Sequence, residues 1–417
     1  MVNKLTKMVW LFMLSSLVMP CVAMVYDNRH FPLLDKPILR RDEYCFFMRL
    51  QPFFMTGDKS WPASSDGNDV GLFDITGMYK QQTLDTALQD LGITDQPLIP
   101  PHLEPLNLLW RLNGKLEAGG LAMRWFYTLS PNWEIGGSGL LMGARTSFNP
   151  LLLDEALRLE SGDIRDVFEA NDQAFSLDSI ERLLWSNTGL GDFDLYLRLG
   201  VLRHYYLKFK TFDMGIKVGM IAPVASRREI TIPGSLPFGG NGHWGIYGDF
   251  ALDTELREDF FAGFNMRLIK RFARDQELRI PVAGEPQLLG ALITEGRVDP
   301  GLTYVFSPYV ALTGIRDGWG AQMSYSLIMH WEDTFTNLRP FGQRPPIDFQ
   351  ALQNLSEWNS EYLSFSLLYD FAYNKECRDW YTPMIYLDVD IPLPFRIVGS
   401  KNSNKTYGVS LRIETGW

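Results

Sequence analysis

After its first two dozen residues the chain has nothing close to the ~18–20 consecutive apolar residues that a membrane-crossing helix needs. Helical spans are therefore excluded from most of its length. Cysteine is scarce, with three in 417 residues, Cys21, Cys45 and Cys377. That is too few for a cysteine metal cluster or a disulfide scaffold, although Cys45 and Cys377 could pair in an oxidising compartment. The five histidines (His30, His102, His204, His243 and His330) are scattered. They form no HExxH and no pair at ligand spacing, so neither a metal nor a cofactor is expected. No GxSxG elbow is present. His330 stands near Ser324 and Ser326, but a period of two puts all three on the face opposite Met329 and Trp331, away from lipid. A lipid-cleaving centre is not expected there, and the chain does not read as an enzyme. The glycine-rich "PFGGNGHW" (237–244) follows no buried strand and opens no helix. It reads as a loop entering a strand at Trp244 rather than a phosphate cradle. Positive charge is short as well, with 39 Lys and Arg against 49 Asp and Glu, a net charge of −10. Nucleic acid, which wants basic patches, is excluded as a partner.

The first 23 residues read as a secretory signal. Lys4 and Lys7 precede an apolar stretch, Met8–Val18, followed by Pro20 and "CVA". Charged start, apolar middle and small-residue site are the parts of such a signal, with cleavage after Ala23. The apolar run is short for an anchor, and Pro20 disfavours lipid attachment at Cys21. Loss of Lys4 and Lys7 would take the charge from −10 to −12.

What the chain does have is alternation. The last segment, "TYGVSLRIETGW", puts Tyr407, Val409, Leu411, Ile413 and Trp417 on one face and Gly408, Ser410, Arg412 and Glu414 on the other. "DFDLYLRLGV" sets Phe193, Leu195, Leu197 and Leu199 against Asp192, Asp194, Tyr196 and Arg198. Segments starting at 120, 211, 320 and 362 repeat the pattern. Runs of roughly ten residues suit a tilted crossing of a bilayer better than the five or six of a soluble sandwich. Twelve strands are expected, near 44–54, 112–129, 133–147, 189–203, 206–221, 243–253, 258–272, 298–312, 318–331, 361–374, 381–392 and 407–417. Their connections alternate long and short, as the external loops and periplasmic turns of an outer-membrane barrel do. The expected fold is thus all-β, a transmembrane antiparallel barrel over 44–417, with 24–43 a periplasmic segment or plug. Fourteen strands remain open if "VGLFDITGMY" (70–79) hides a hairpin. Helical spacing of apolar residues at 82–92 and within 151–185 places short helices in external loops.

The apolar face then meets lipid, and the polar face lines a lumen. Inward-facing charges are expected at Arg49, Arg124, Arg145, Asp192, Asp194, Arg198, Asp213, Lys217, Asp249, Asp253, Arg267, Arg271, Asp370, Asp388, Asp390, Arg412 and Glu414. Both signs occur. They can form a structural ion-pair network or select solutes in a pore. The C-terminal residues Tyr407, Val409, Leu411, Ile413 and Trp417 resemble the assembly signal of bacterial outer-membrane proteins, which usually ends in phenylalanine.

"TGLGDFDLYLRLG" (188–200), "MGIKVGMIAP" (214–223) and "GGNGHWGIYGDFAL" (239–252) resemble, in this order, segments of the meta-pathway phenol-degradation family of outer-membrane proteins, relatives of the long-chain fatty-acid transporters. Gly189, Leu190, Gly191, Asp192 and Pro223 match; Val224-Ala225 replaces the family's usual Thr-Gly. The resemblance covers about 65 residues. It implies a bacterial outer-membrane channel passing small, hydrophobic or weakly polar solutes by facilitated diffusion. Its partners would be outer-membrane lipid, the barrel-assembly machinery and a small-molecule solute, with no cofactor. The alternative is a barrel with a filled lumen that acts through its long external loops. The oligomeric state is open.

Overall fold

The computed structural model describes residues 28–39, 45–62, 70–72, 79–103, 108–153, 161–178, 180, 184–206, 209–282, 285, 289–340, 347, 349–373, 382–393 and 400–416. The expected signal segment, Cys377 and Trp417 lie outside the described residues. Twelve long strands form the wall: β1 (Phe46–Trp61), β2 (Leu109–Ser130), β3 (Trp133–Leu152), β4 (Phe193–Tyr206), β5 (Phe209–Ala222), β6 (Gly245–Arg257), β7 (Phe260–Arg271), β8 (Leu302–Arg316), β9 (Trp319–His330), β10 (Trp358–Asp370), β11 (Met384–Pro392) and β12 (Ser403–Gly416). Each is antiparallel to its sequence neighbours, and β12 pairs back onto β1 from Phe47↔Gly416 to Trp61↔Ser403. The sheet therefore closes. Closure satisfies the edge N–H and C=O groups that lipid could not hydrogen-bond.

Alternation decides which face meets which solvent. In β5 the outward residues Met214, Ile216, Val218 and Met220 are exposed, while Asp213, Lys217 and Ile221 between or beside them are buried. Leu197 and Leu199, Val409 and Leu411, and Phe365 and Leu367 repeat this on other strands. Trp319 and Trp331 stand on the outer wall at opposite ends of one strand direction. Twelve residues at a ~3.4 Å rise, tilted ~40°, separate them by about 30 Å, close to a bilayer's hydrocarbon thickness. Indole sits well at both such boundaries because it has an apolar body and one polar N–H. The described residues contain no helix long and apolar enough to cross a membrane.

The turns at one end are tight. Asp317 and Gly318 both have positive φ, 46° and 89°, between the paired residues Arg316 and Trp319. This is the Asp-Gly two-residue hairpin whose twist suits the flanking strands. The β2–β3 turn is Pro131-Asn132. Strands extend further into several turns than the sequence indicates. β8 runs to Arg316 and so shortens the expected turn at 314–317.

The connections that carry helices and extra strands lie at the opposite end, and two expectations need correction there. β2 and β3 are 22 and 20 residues long, so they rise as a hairpin beyond the membrane band. The hairpin left open at 70–79 adds no wall strand among the described residues. Val70–Gly71 pairs with the end of β1 and Tyr79–Lys80 with the start of β2, so the wall stays at twelve. Within 151–185, only Ser161–Leu177 (α2) is helical among the described residues; Leu152 ends β3, and Leu184–Leu190 is a strand on β3's edge. That edge strand continues the line of β4 and breaks at Gly191-Asp192. The expected helix at 82–92 is α1 (Gln81–Asp90), and α3 (Phe349–Ser356) is a further short helix. A small sheet of Arg274–Ile280, Leu292–Asp299 and Thr334–Asn337 completes the external cap. α1, α2 and the tops of β2 and β3 enclose an apolar core around Leu84, Leu88, Trp110, Leu112 and Val167.

Candidate functional site: the lumen and its outer vestibule

The lumen is lined by the charged faces of the strands, and residues 28–39 run through it. Asn28 donates to the Pro237 carbonyl in an external loop (3.4 Å), and Arg29 to the Leu355 carbonyl beside another (2.9 Å). His30 meets Asn404 (2.8 Å) and its carbonyl accepts from Thr406 (2.5 Å), both near the outer end of β12. Further along, Lys36 forms a buried ion pair with Asp390 and donates to Ser364 (2.7 Å). Asp35 pairs with Arg124 and lies 3.4 Å from Arg49. Arg49 also donates to the Lys36 carbonyl (2.7 Å), and Arg412 to that of Pro37 (3.0 Å). Leu39 packs with Phe261, Tyr309, Leu368 and Tyr386 near the short-turn end. The segment thus enters from the loop side and descends toward the start of β1.

Around it the wall charges are joined. Arg267 grips Asp249 with two hydrogen bonds (2.5 and 2.6 Å) and lies 4.2 Å above the Tyr247 ring. Asp194 accepts from Tyr247 and Ser138 and stands 3.7 Å from Arg267. Arg198 bridges Glu134 (3.1 Å) and Asp213 (2.6 Å). Lys217 is 3.7 Å from Asp249. Arg412 sits between Asp388 and Glu414, each at 3.2 Å, with its guanidinium 3.7 Å above Tyr386. Arg49 shares the same Glu414 oxygen, Oε1 (2.5 Å). Near the outer end, Asp192 accepts from the Gly240 amide (2.7 Å) and pairs with Arg271 (3.1 Å). Asp370, at the short-turn end, accepts from the Ala372 amide (2.8 Å). Asp253 accepts from the Tyr309 hydroxyl (2.7 Å). Charges removed from water are tolerable only when paired this closely.

Arg145 departs from the expectation. Ala144 and Thr146 point inward, so Arg145 is exposed on the outer face of β3, opposite Glu117. Strand alternation runs unbroken from the exposed Leu141 to Arg145, which fixes its side. It lies on the part of β3 that rises toward the external cap, where a charged outer face is wet. On β12, Tyr407, Val409 and Leu411 are exposed on the wall and Ile413 is half-buried. His330 bonds to Thr303 (2.8 Å) and Asp333 (2.9 Å), and Thr303 is buried. Ser326 is instead 3.4 Å from Ser307.

Beside residues 35–38 lies a cavity of about 50 Å³. Above the segment, however, an outer vestibule of about 590 Å³ opens between the loops. Its walls come from 227–243, the three-stranded cap sheet, α3 and the start of residues 28–39. Sequence reasoning missed this vestibule, because its arginines lie on four separate segments. The run "SRREI" (226–230) was the available signal. Below the cap sheet, Arg279 contacts Asp178 (2.9 Å) and the carbonyls of Asp178 and Gly290. Burial pushes the Asp178 carboxyl up to about 8 despite that neighbour. Burial likewise pushes Glu285, which accepts from the Val282 amide (2.7 Å), up to about 7.

No family model and no curated protein matches the chain. Among solved structures it is similar to an outer membrane channel from Pseudomonas putida F1, with 12% identity, a TM-score of 0.51, and coverage of 92% of this chain and 100% of that one. The toluene transporter TodX of Pseudomonas putida aligns at 10% identity and a TM-score of 0.32, over 88% of each chain. The translocator domain of the autotransporter NalP from Neisseria meningitidis gives 8% and 0.32, over 90% of each. The first shares the fold; the other two superpose too loosely to carry an argument. With its closed wall, apolar outer band and aromatic boundaries, the chain is a transmembrane β-barrel of the outer-membrane type.

Proposed function

We propose that this barrel is an outer-membrane channel for small, hydrophobic or weakly polar solutes, moved by facilitated diffusion without cofactor or nucleotide. Residues 28–39 act as its plug. The observation that carries the reading is the 590 Å³ outer vestibule standing directly above a lumen that one short, separately tethered segment fills. A solute entering between the loops reaches the plug before it reaches the wall network. Passage requires the segment to shift, and its tethers fall in two groups: Asn28, Arg29 and His30 hold its outer end to the loops and β12, while Asp35 and Lys36 with their partners, and carbonyls held by Arg49 and Arg412, hold its middle. The wall's own pairs, such as Arg267 with Asp249, do not depend on it. Charges of both signs screen the path rather than form a one-sign ladder.

The test compares the mature chain with a form lacking residues 28–39, each refolded in planar bilayers and in vesicles loaded with a neutral aromatic alcohol. Small or absent conductance in the intact chain and ohmic steps in the shortened one support the plugged channel. Equal, negligible permeability in both would sink it. The filled lumen with its extensive external cap also favours a second reading, a surface-interaction barrel. That reading gains if neither form passes any solute.

A further inference from the structure

The outer vestibule is strongly cationic in a chain whose net charge is −10. Six arginines line it, against two carboxylates, Glu277 and Asp333. Arg271 and Arg279 have acidic partners behind the wall, Asp192 and Asp178. The other four, Arg29, Arg227, Arg228 and Arg274, have no carboxylate within 4 Å among the described residues. Among the described residues the Arg228 guanidinium donates to the Pro233 carbonyl (3.3 Å), that of Arg29 to Leu355, and that of Arg274 to Gly242 (3.0 Å). Neutral carbonyls orient these guanidiniums without neutralising them, and of the four Arg29 also feels the Asp333 carboxylate across the cavity.

These groups converge. Gly242, at φ +87°, has the Arg227 and Arg274 side chains together on the side where a Cβ would sit. Arg227 and Arg228 are solvent-accessible within the cavity, while the charges of Arg29 and Arg279 reach Arg228. Crowded like charges disfavour one another, and an arriving anion relieves that cost. Planar guanidinium forks also match the paired oxygens of an oxyanion. The lining also carries apolar side chains, Leu236, Leu278, Phe335 and Trp358.

We propose that the outer vestibule is a recognition site for an oxyanion carried on a small apolar body, held by Arg227, Arg228, Arg274 and Arg29. The ligand is a free solute. The proposal rests on reading this cavity as the solute's entry, and it narrows that reading from neutral hydrophobic compounds to anionic ones. Because Arg29 and His30 belong to the luminal segment, the bound anion touches the plug itself.

Calorimetric titration of the detergent-solubilised full chain tests this without requiring transport. The probes are benzoate, phenyl phosphate, benzyl alcohol and benzylammonium. The expected result is saturable binding of benzoate and phenyl phosphate, at least tenfold tighter than benzyl alcohol, with no binding of benzylammonium. Raising salt should weaken it, since screening acts on charge. R227Q/R228Q should reduce benzoate affinity at least tenfold, while heat-modifiable gel migration shows the barrel intact. R316Q, at the opposite end, should leave affinity unchanged. Equal binding of benzyl alcohol and benzoate would overturn the proposal, as would unaltered affinity in R227Q/R228Q. Displacement of benzoate by lipid A but not by phenyl phosphate would overturn the free-solute assignment. Anion binding in a chain that passes no solute would leave the site standing and defeat the channel reading instead.

Discussion

At the scale of single residues, the lumen contrasts with a surface where charges are dispensable. The Lys36–Asp390 pair is buried on both sides. Removing one partner of such a pair leaves an uncompensated charge and costs about 3–5 kcal/mol, whereas replacing both with apolar groups is often near neutral. Lys36→Met should therefore loosen the plug and raise single-channel conductance, and adding Asp390→Leu should bring conductance back toward the intact level. Arg145→Ala, on the wet outer face, should change stability by less than about 0.5 kcal/mol in a urea titration. The two raised carboxyls, Asp178 at about 8 and Glu285 at about 7, give the cap a pH dependence. Their values in an opened loop lie near 4, so the closed cap holds protons more strongly than the open one. The resulting stabilisation is complete below about pH 4 and is lost as pH rises through 7 to 8. Hydrogen exchange across α2 and 289–292 should accelerate between pH 5 and 8.5, after correction for intrinsic chemistry. Asp178→Asn should flatten that dependence.

At the scale of elements, each wall strand is specified by a period of two and by what its ends must do. Ile216 is exposed near the middle of β5. Ile216→Lys should cost about 2–4 kcal/mol in a folding titration from lipid vesicles, because lysine at mid-depth must leave water. Gly318 carries φ 89°, and a Cβ there would stand 2.8 Å from the Asp370 carbonyl. Gly318→Val should slow appearance of the heat-modifiable barrel and destabilise the β8–β9 hairpin by about 1–2 kcal/mol. The strands were legible because alternation is a local property. All twelve lie where the pattern of Leu197, Leu199, Val409, Leu411 and their counterparts indicates. Strand ends were less legible. β2 and β3 continue past the lipid because their upper residues, such as Trp110 and Phe148, are buried by α1, α2 and external loops. Leu184 reads equally well in a helix or a strand, and the free edge of β3 decided the matter by offering hydrogen bonds.

At the scale of the whole molecule, the wall is a closed cylinder whose contents come from elsewhere in the chain. Closure joins residues 369 apart, Phe47 and Gly416, so the last strand completes the first. A form lacking Trp417 should yield less heat-modifiable barrel in vivo, since the final aromatic belongs to the expected assembly signal. By itself the sequence determined the fold class, the approximate number of strands, the side on which the long loops lie, and the polar face of most strands, although Glu134, Glu255 and Glu361 are also buried charges and Arg145 is not. Each follows from a two-residue period or from loop length, quantities that neighbouring residues set. The tertiary structure alone decided which charges meet. Asp35 finds Arg124, Lys36 finds Asp390, and Arg412 finds Asp388 across distances in sequence that no periodicity encodes. It also decided that residues 28–39 occupy the lumen and that Arg29, Arg228 and Arg274 face one cavity. Those outcomes depend on how a closed wall and its external loops share space, and that is settled only when the cylinder forms.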